Sequence, residues 1–188
     1  MSLDQDAVKK HLISVADFHA MDNVGLFPES PKVELINGEI FDMAPIGPAH
    51  GSVVKQLTER FVLAASKQAI VSVQDPVRLG DLSEPQPDVC LLRREKDYYA
   101  SESPKAEDVL LVVEVAQSSL AFDLKVKSRL YASHNIQEYW LVDIPNRQLL
   151  VFKELADDSY KQQVTLRSPT VLSPDALPDI EIDMSGLF

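Results

Sequence analysis

A single cysteine, Cys90, is the whole thiol inventory of this 188-residue chain. It excludes an internal disulfide and any zinc cluster built from several thiolates. It lies in the apolar run Val89-Cys90-Leu91-Leu92 and reads as a small core residue. Histidine is scarce, with 4 residues, and no two stand at zinc-motif spacing. Glycine is scarce too, with 6 residues, and forms neither a phosphate-cradling loop nor a dinucleotide fingerprint. Ser118-Ser119 has no nucleophile-elbow context. No apolar stretch approaches the ~20 residues of a membrane-spanning helix. The opening residues Met1 to Asp6 are polar and acidic, unlike a signal peptide. The expectation is a cytoplasmic protein with no membrane and no nucleotide cofactor.

Positive charge is also short. Lys and Arg number 18 against 29 Asp and Glu, a net charge of −11. Phosphate neutralisation supplies much of nucleic-acid affinity, so this balance opposes tight non-specific DNA binding. Two local basic clusters remain, Arg93-Arg94 with Lys96, and Lys125, Lys127 and Arg129. Apolar content of 45% and charged content of 25% are those of an ordinary globular protein. No repeat or linker divides the chain, so one domain is expected over 1–188. Residues 1–10 read as a loose lead-in and 168–188 as a tail draped over the surface.

Local signals place the elements. Ser14-Val15-Ala16-Asp17 is a capping box opening a helix through Met21. A loop follows over 23–31. Asn37-Gly38 between two β-prone runs signals a hairpin over 32–43. Val53, Leu57 and Phe61 recur at helical spacing and predict a helix over 49–67. Strands are expected over 70–73, 76–79, 88–92, 109–115, 138–142, 148–154 and 161–166. A charged loop spans 93–108, and a helix over 120–133 follows the polar break Gln117-Ser118-Ser119. In Tyr139-Trp140 the two rings should face opposite sides of a strand. The order gives an α/β sandwich, a central mixed β-sheet flanked by helices.

The acids carry the chemistry. Glu114 interrupts the run Leu110-Leu111-Val112-Val113-Glu114-Val115, and Asp88 introduces Val89 to Leu92. A buried acid is costly without compensation. Carboxylate oxygens suit Mg²⁺ or Mn²⁺, so a shared cation could compensate both. A pair of acids held by arginines or backbone amides fits the same spacing. Lys127 could reach such a site, although Asp123 at i−4 makes an exposed ion pair the simpler reading of that spacing. Glu34 could be a third acid completing the metal shell, or a solvent-facing strand residue. His50, at a helix start, could cap, contact phosphate or carry a proton.

These same residues carry a resemblance. Glu34-Leu35-Ile36-Asn37-Gly38-Glu39, Pro48-Ala49-His50-Gly51-Ser52-Val53-Val54, and Gln86-Pro87-Asp88-Val89 resemble a large bacterial family known as "putative restriction endonucleases". So do Val112-Val113-Glu114-Val115, then Asp123, Lys127, Leu130-Tyr131 and Glu138 to Asp143. The family belongs to the PD-(D/E)XK nuclease superfamily, and the resemblance covers about 33–152. It implies a restriction-endonuclease-like core and Mg²⁺-dependent DNA cleavage. Asp88 matches the motif aspartate, Glu114 the second acid and Glu34 an upstream acid. Two residues after Glu114 stands Ala116, not lysine; Lys127 matches the family's alternative, a lysine on the next helix. The resemblance thus implies catalytic Asp88, Glu114, Lys127 and Glu34, with the metal on Asp88 and Glu114. His50, Gln86 and Asp123 stand in a second tier. Duplex cleavage would favour a homodimer. Two rival readings are a non-catalytic module that keeps the fold, and a nuclease acting on RNA or branched DNA.

Overall fold

The computed structural model describes residues 9–27, 32–65 and 67–188. Most of the expected lead-in, and residues 28–31 of the first loop, lie outside these. Ser14 caps helix α1 (Val15–Asn23): its hydroxyl accepts from the Asp17 amide, and the Asp17 carboxylate answers as the box requires. Strands β1 (Val33–Ile36) and β2 (Glu39–Asp42) form the expected hairpin. Its turn places Asn37 at φ 51° and Gly38 at φ 75°, the left-handed pair such a tight turn requires. A Cβ on Gly38 would lie 2.6 Å from the Leu12 Cβ, so only glycine fits.

The central sheet has six strands in the order β3-β4-β5-β6-β7-β8. They are Ile70–Ser72, Val89–Leu92, Val109–Ala116, Tyr139–Asp143, Gln148–Ala156 and Ser159–Leu166. Every neighbouring pair is antiparallel except β5 and β6, so the sheet is mixed. All eight residues of β5 are buried. That explains its nearly continuous apolar sequence: a central strand covered on both faces has no solvent side to pattern.

Helix α2 (Pro48–Ala65) covers one face, packing Val53, Val54, Leu57 and Phe61 against Val89, Val113 and Trp140. A helix over 120–133, α3, covers the other, packing Leu130 and Tyr131 against Cys90, Val112, Tyr139 and Leu141. Tyr139 and Trp140 fall in opposite layers, as alternation requires. Helix α3 links the parallel strands β5 and β6. It runs as an α-helix over Leu120–Phe122, a wide π turn over Asp123–Lys127, and an α-helix over Ser128–Ser133. The Ser128 amide bonds the Asp123 carbonyl across that turn. π turns are rare and gather at functional sites.

Two expectations need correction. No strand forms over 76–79; Arg78 makes one isolated bridge, to Lys105. The segment folds back at Gly80 (φ 73°), so the amides of Val77 and Leu79 bond the carbonyls of Pro85 and Ser83 instead of a neighbouring strand. The tail is not draped over the surface. Residues Ile180, Ile182, Met184 and Leu187 are buried in the α2 layer, and β9 (Val171–Leu172) pairs with β10 (Ile182–Asp183). Its proline and aspartate residues hide an apolar set that the core takes up. Ile182 has no exposed surface, so Ile182→Ala should cost about 2–5 kcal/mol. A thermal or urea melt showing less than ~0.5 kcal/mol would return the tail to the surface.

Candidate active site

Register brings the acids together. Val89 pairs with Val113 in the antiparallel ladder, so the next rung sets Asp88 beside Glu114, on the same face of the sheet. That face is the one α3 covers. Asp88 is 8% exposed, Glu114 3% and Lys127 2%. All three line a cavity of about 570 Å³ with Glu34, His50, Gln74, Gln86 and Asp123.

Lys127 is the hub. Its Nζ donates to Glu114 Oε1 at 2.8 Å and to Glu34 Oε1 at 3.2 Å. The second Glu34 oxygen lies 3.1 Å away. The exposed Asp123–Lys127 pair that spacing favours is therefore overturned: both residues are buried, and Asp123 accepts from Ser119 Oγ at 2.5 Å. Lys127 also leaves the expected surface cluster with Lys125 and Arg129. Glu34 is no solvent-facing strand residue either, at 3% exposure. The hairpin is docked by bonds from Gly38 to Leu82 and from Glu84 to Leu35. These seat Glu34 under the Gln86 amide, 3.2 Å from its Oε1. Gln86 thus contributes its backbone to the arrangement.

Asp88 is held on three sides. His50 Nε2 lies 3.0 Å from its Oδ2, the Val115 amide donates to the same oxygen at 2.9 Å, and Gln74 Nε2 donates to Oδ1 at 3.1 Å. Pro48 to His50 form the first turn of α2, which carries His50 to the rim of the sheet. Two further residues escape sequence reasoning as site members. Gln74 sits in a turn with φ 58° and carries no periodic signal. Tyr131 donates to Glu114 Oε1 at 2.6 Å; its position four residues after Lys127, on the same helix face, was the available clue.

The electrostatics follow from burial. Burial pushes the Glu114 carboxyl up to about 8; Lys127 opposes this, while Asp88, Asp123 and Glu34 add to it. Burial also works against the Lys127 ammonium, but Glu114, Glu34 and Asp123 outweigh it and hold the lysine charged. Burial raises Asp88, yet the bond and charge of His50, with Gln74 and the Val115 amide, leave it below the usual carboxylate range. The Asp88 hydrogen bond raises His50 in turn.

The donor set suits a hard divalent cation. Four carboxylates face one ammonium and one histidine, leaving an acidic excess. Among the described residues, Glu114 Oε2 and Asp123 Oδ1 accept no hydrogen bond, and Glu34 Oε2 has only its ion pair with Lys127. Among the same residues, no three acids or histidines form a cation cage. Mg²⁺ binding calls for only one or two protein carboxylates, with water and substrate oxygens in the remaining positions. Glu34, the third acid at the site, pairs with Lys127.

Among the described residues, no helix is long and apolar enough to cross a membrane. A family model described as "Putative restriction endonuclease", Uma2, matches residues 15–185. A crystal structure described as a "putative nuclease belonging to DUF820" from Anabaena variabilis ATCC 29413 has a TM-score of 0.70 to this chain. The two share 18% identity over 89% of this chain and 96% of that one, a likeness of fold. No curated protein matches. The fold is the restriction-endonuclease-like α/β core, with its mixed sheet between helices. The family model spans nearly the whole chain, and the chain therefore belongs to the Uma2 family of restriction-endonuclease-like nucleases.

Proposed function

We propose that the chain is a Mg²⁺-dependent endonuclease that hydrolyses DNA phosphodiesters. One observation carries the reading: Asp88, Glu114 and the charged Lys127 share one cavity on one face of the sheet. Asp88 and Glu114 would hold the metal, with Mn²⁺ an acceptable substitute. The bound ion would lower the pKa of a coordinated water and neutralise charge on the scissile phosphate. Lys127, kept charged by Glu34 and Glu114, orients the attacking water or stabilises the pentacoordinate phosphate. Tyr131 fixes the rotamer of Glu114, leaving Oε2 free for the cation. Gln74, His50 and the Val115 amide fix Asp88. Cutting both strands of a duplex would call for a homodimer, one site per strand.

Calorimetric titration tests the site directly. Mn²⁺ should bind the wild type, while Asp88→Ala should lose at least ~10-fold in affinity, since losing even an outer-shell partner of a metal ligand costs about that much. A plasmid-nicking assay should show the same order. If neither protein binds Mg²⁺ or Mn²⁺, the chain is a non-catalytic module on a nuclease fold.

A further inference from the structure

We infer that the site, read as the metal-dependent nuclease above, takes single-stranded DNA or a frayed DNA end rather than an intact duplex. Three observations at the cavity point that way. The first is depth. The acids and the lysine at the floor are 2–8% exposed, so the reacting phosphate must descend to them. Two walls flank the descent: the segment 43–47 that leaves the hairpin, and the 117–119 turn after β5. They close on each other at Gly47, where a Cβ would lie 3.1 Å from Gln117 Oε1.

The second is size. A cavity of about 570 Å³ falls in the range that encloses small ligands, room for a nucleotide and its phosphodiester. A duplex is a stiff rod with a persistence length of about 150 base pairs. Its phosphates are carried on an outer surface that cannot bend into such a recess. A single strand can bend.

The third is what the rim offers. A duplex is commonly gripped through roughly 6–10 phosphate contacts from Lys and Arg. Among the described residues lining this cavity, Lys32 is the one exposed cation, and Lys127 lies at the floor. The net charge of −11 supplies no general attraction. One wall of the rim is apolar, with Met43, Ala44, Pro45 and Ile46, the last 50% exposed, and it faces the polar Gln117, Ser118 and Ser119. Unpaired bases expose their flat faces to water, and apolar side chains can cover those faces, whereas paired bases keep theirs stacked.

The test uses the full chain and fluorescently labelled oligonucleotides of one sequence: single-stranded DNA, blunt duplex, duplex with an overhang, and RNA. With Mn²⁺, single strand and overhang should be cut at least ~10-fold faster than blunt duplex. Anisotropy titrations with Ca²⁺ replacing Mn²⁺ should rank the ligands in the same order. Ile46→Asp should weaken single-strand binding by a similar factor, while Leu63→Asp, exposed on α2 away from the rim, should not. Equal cutting of blunt duplex would overturn the single-strand reading and leave metal-dependent cleavage standing. Preference for RNA would overturn the choice of DNA. Failure to bind single strands would overturn the inference, whereas failure to bind Mn²⁺ would overturn the nuclease reading beneath it.

Discussion

Lys127→Met should abolish Mn²⁺-dependent DNA cleavage, on single strands and plasmid alike, while preserving, or tightening, Mn²⁺ binding. The opposite signs follow from one charge. The ammonium of Lys127 stands 2.8 Å from Glu114 Oε1 and is shared with Glu34. Toward a phosphate at the cavity floor it is an electrostatic stabiliser, and removing such a group costs about 10²–10³ in rate. Toward a cation on Glu114 it is a repelling neighbour, and removing it relieves that repulsion. A collapsed site would instead lose both properties. Breaking a buried pair by deleting one partner costs about 3–5 kcal/mol. Here part of that loss is relieved, because Glu114 already tends to hold a proton. Lys127→Arg keeps the charge and should restore the melting temperature, yet its planar fork cannot place a point charge where Nζ sits, so cleavage should stay low. Unchanged nicking by Lys127→Met would remove Lys127 from the mechanism.

What could be read from the chain alone was local. The capping box at Ser14, the Asn37-Gly38 turn and the single acid inside an otherwise apolar β5 each state their structure within a few residues. Pairing of Asp88 with Glu114 needed only that adjacent strands align, which they do. What escaped reading was set by distant partners. Glu34 and Lys127 are 93 positions apart. Nothing near either one says that they meet, and Asp123 offers Lys127 a nearer partner. The π turn leaves no composition signal. Gln74 lies in a turn whose purpose appears only once Asp88 is beside it. The tail misleads for a related reason: its prolines and aspartates are the local signal, while its four buried apolar residues matter only against α2.

Glu114→Gln should be inactive and yet, without divalent cations, more heat-stable than the wild type at pH 8. Glutamine is nearly isosteric, and its carbonyl oxygen can accept from Lys127 and Tyr131 as Glu114 Oε1 does. The Glu114 carboxyl sits near 8 in the folded chain, against an ordinary value of 4.5. A folded-state value above the unfolded one means the native state binds the proton longer. The stability this proton provides is complete below about pH 4.5 and is lost progressively as pH rises to about 8. Glutamine needs no proton, so the variant should gain on the wild type across that window. The gain at its upper end should reach at least about 1 kcal/mol, or roughly 2–4 °C in a chain of this size. Adding Mn²⁺ should reverse the order, because only the carboxylate form gains the binding free energy of the ion. Ion uptake should release a proton and tighten between pH 6.5 and pH 8.5, since the ion must displace it from a group near 8. A wild type that melts above Glu114→Gln at pH 8 without metal would mean that Glu114 is already ionised and satisfied by Lys127. In that case the pair is structural, and the acid is not held in reserve for a cation.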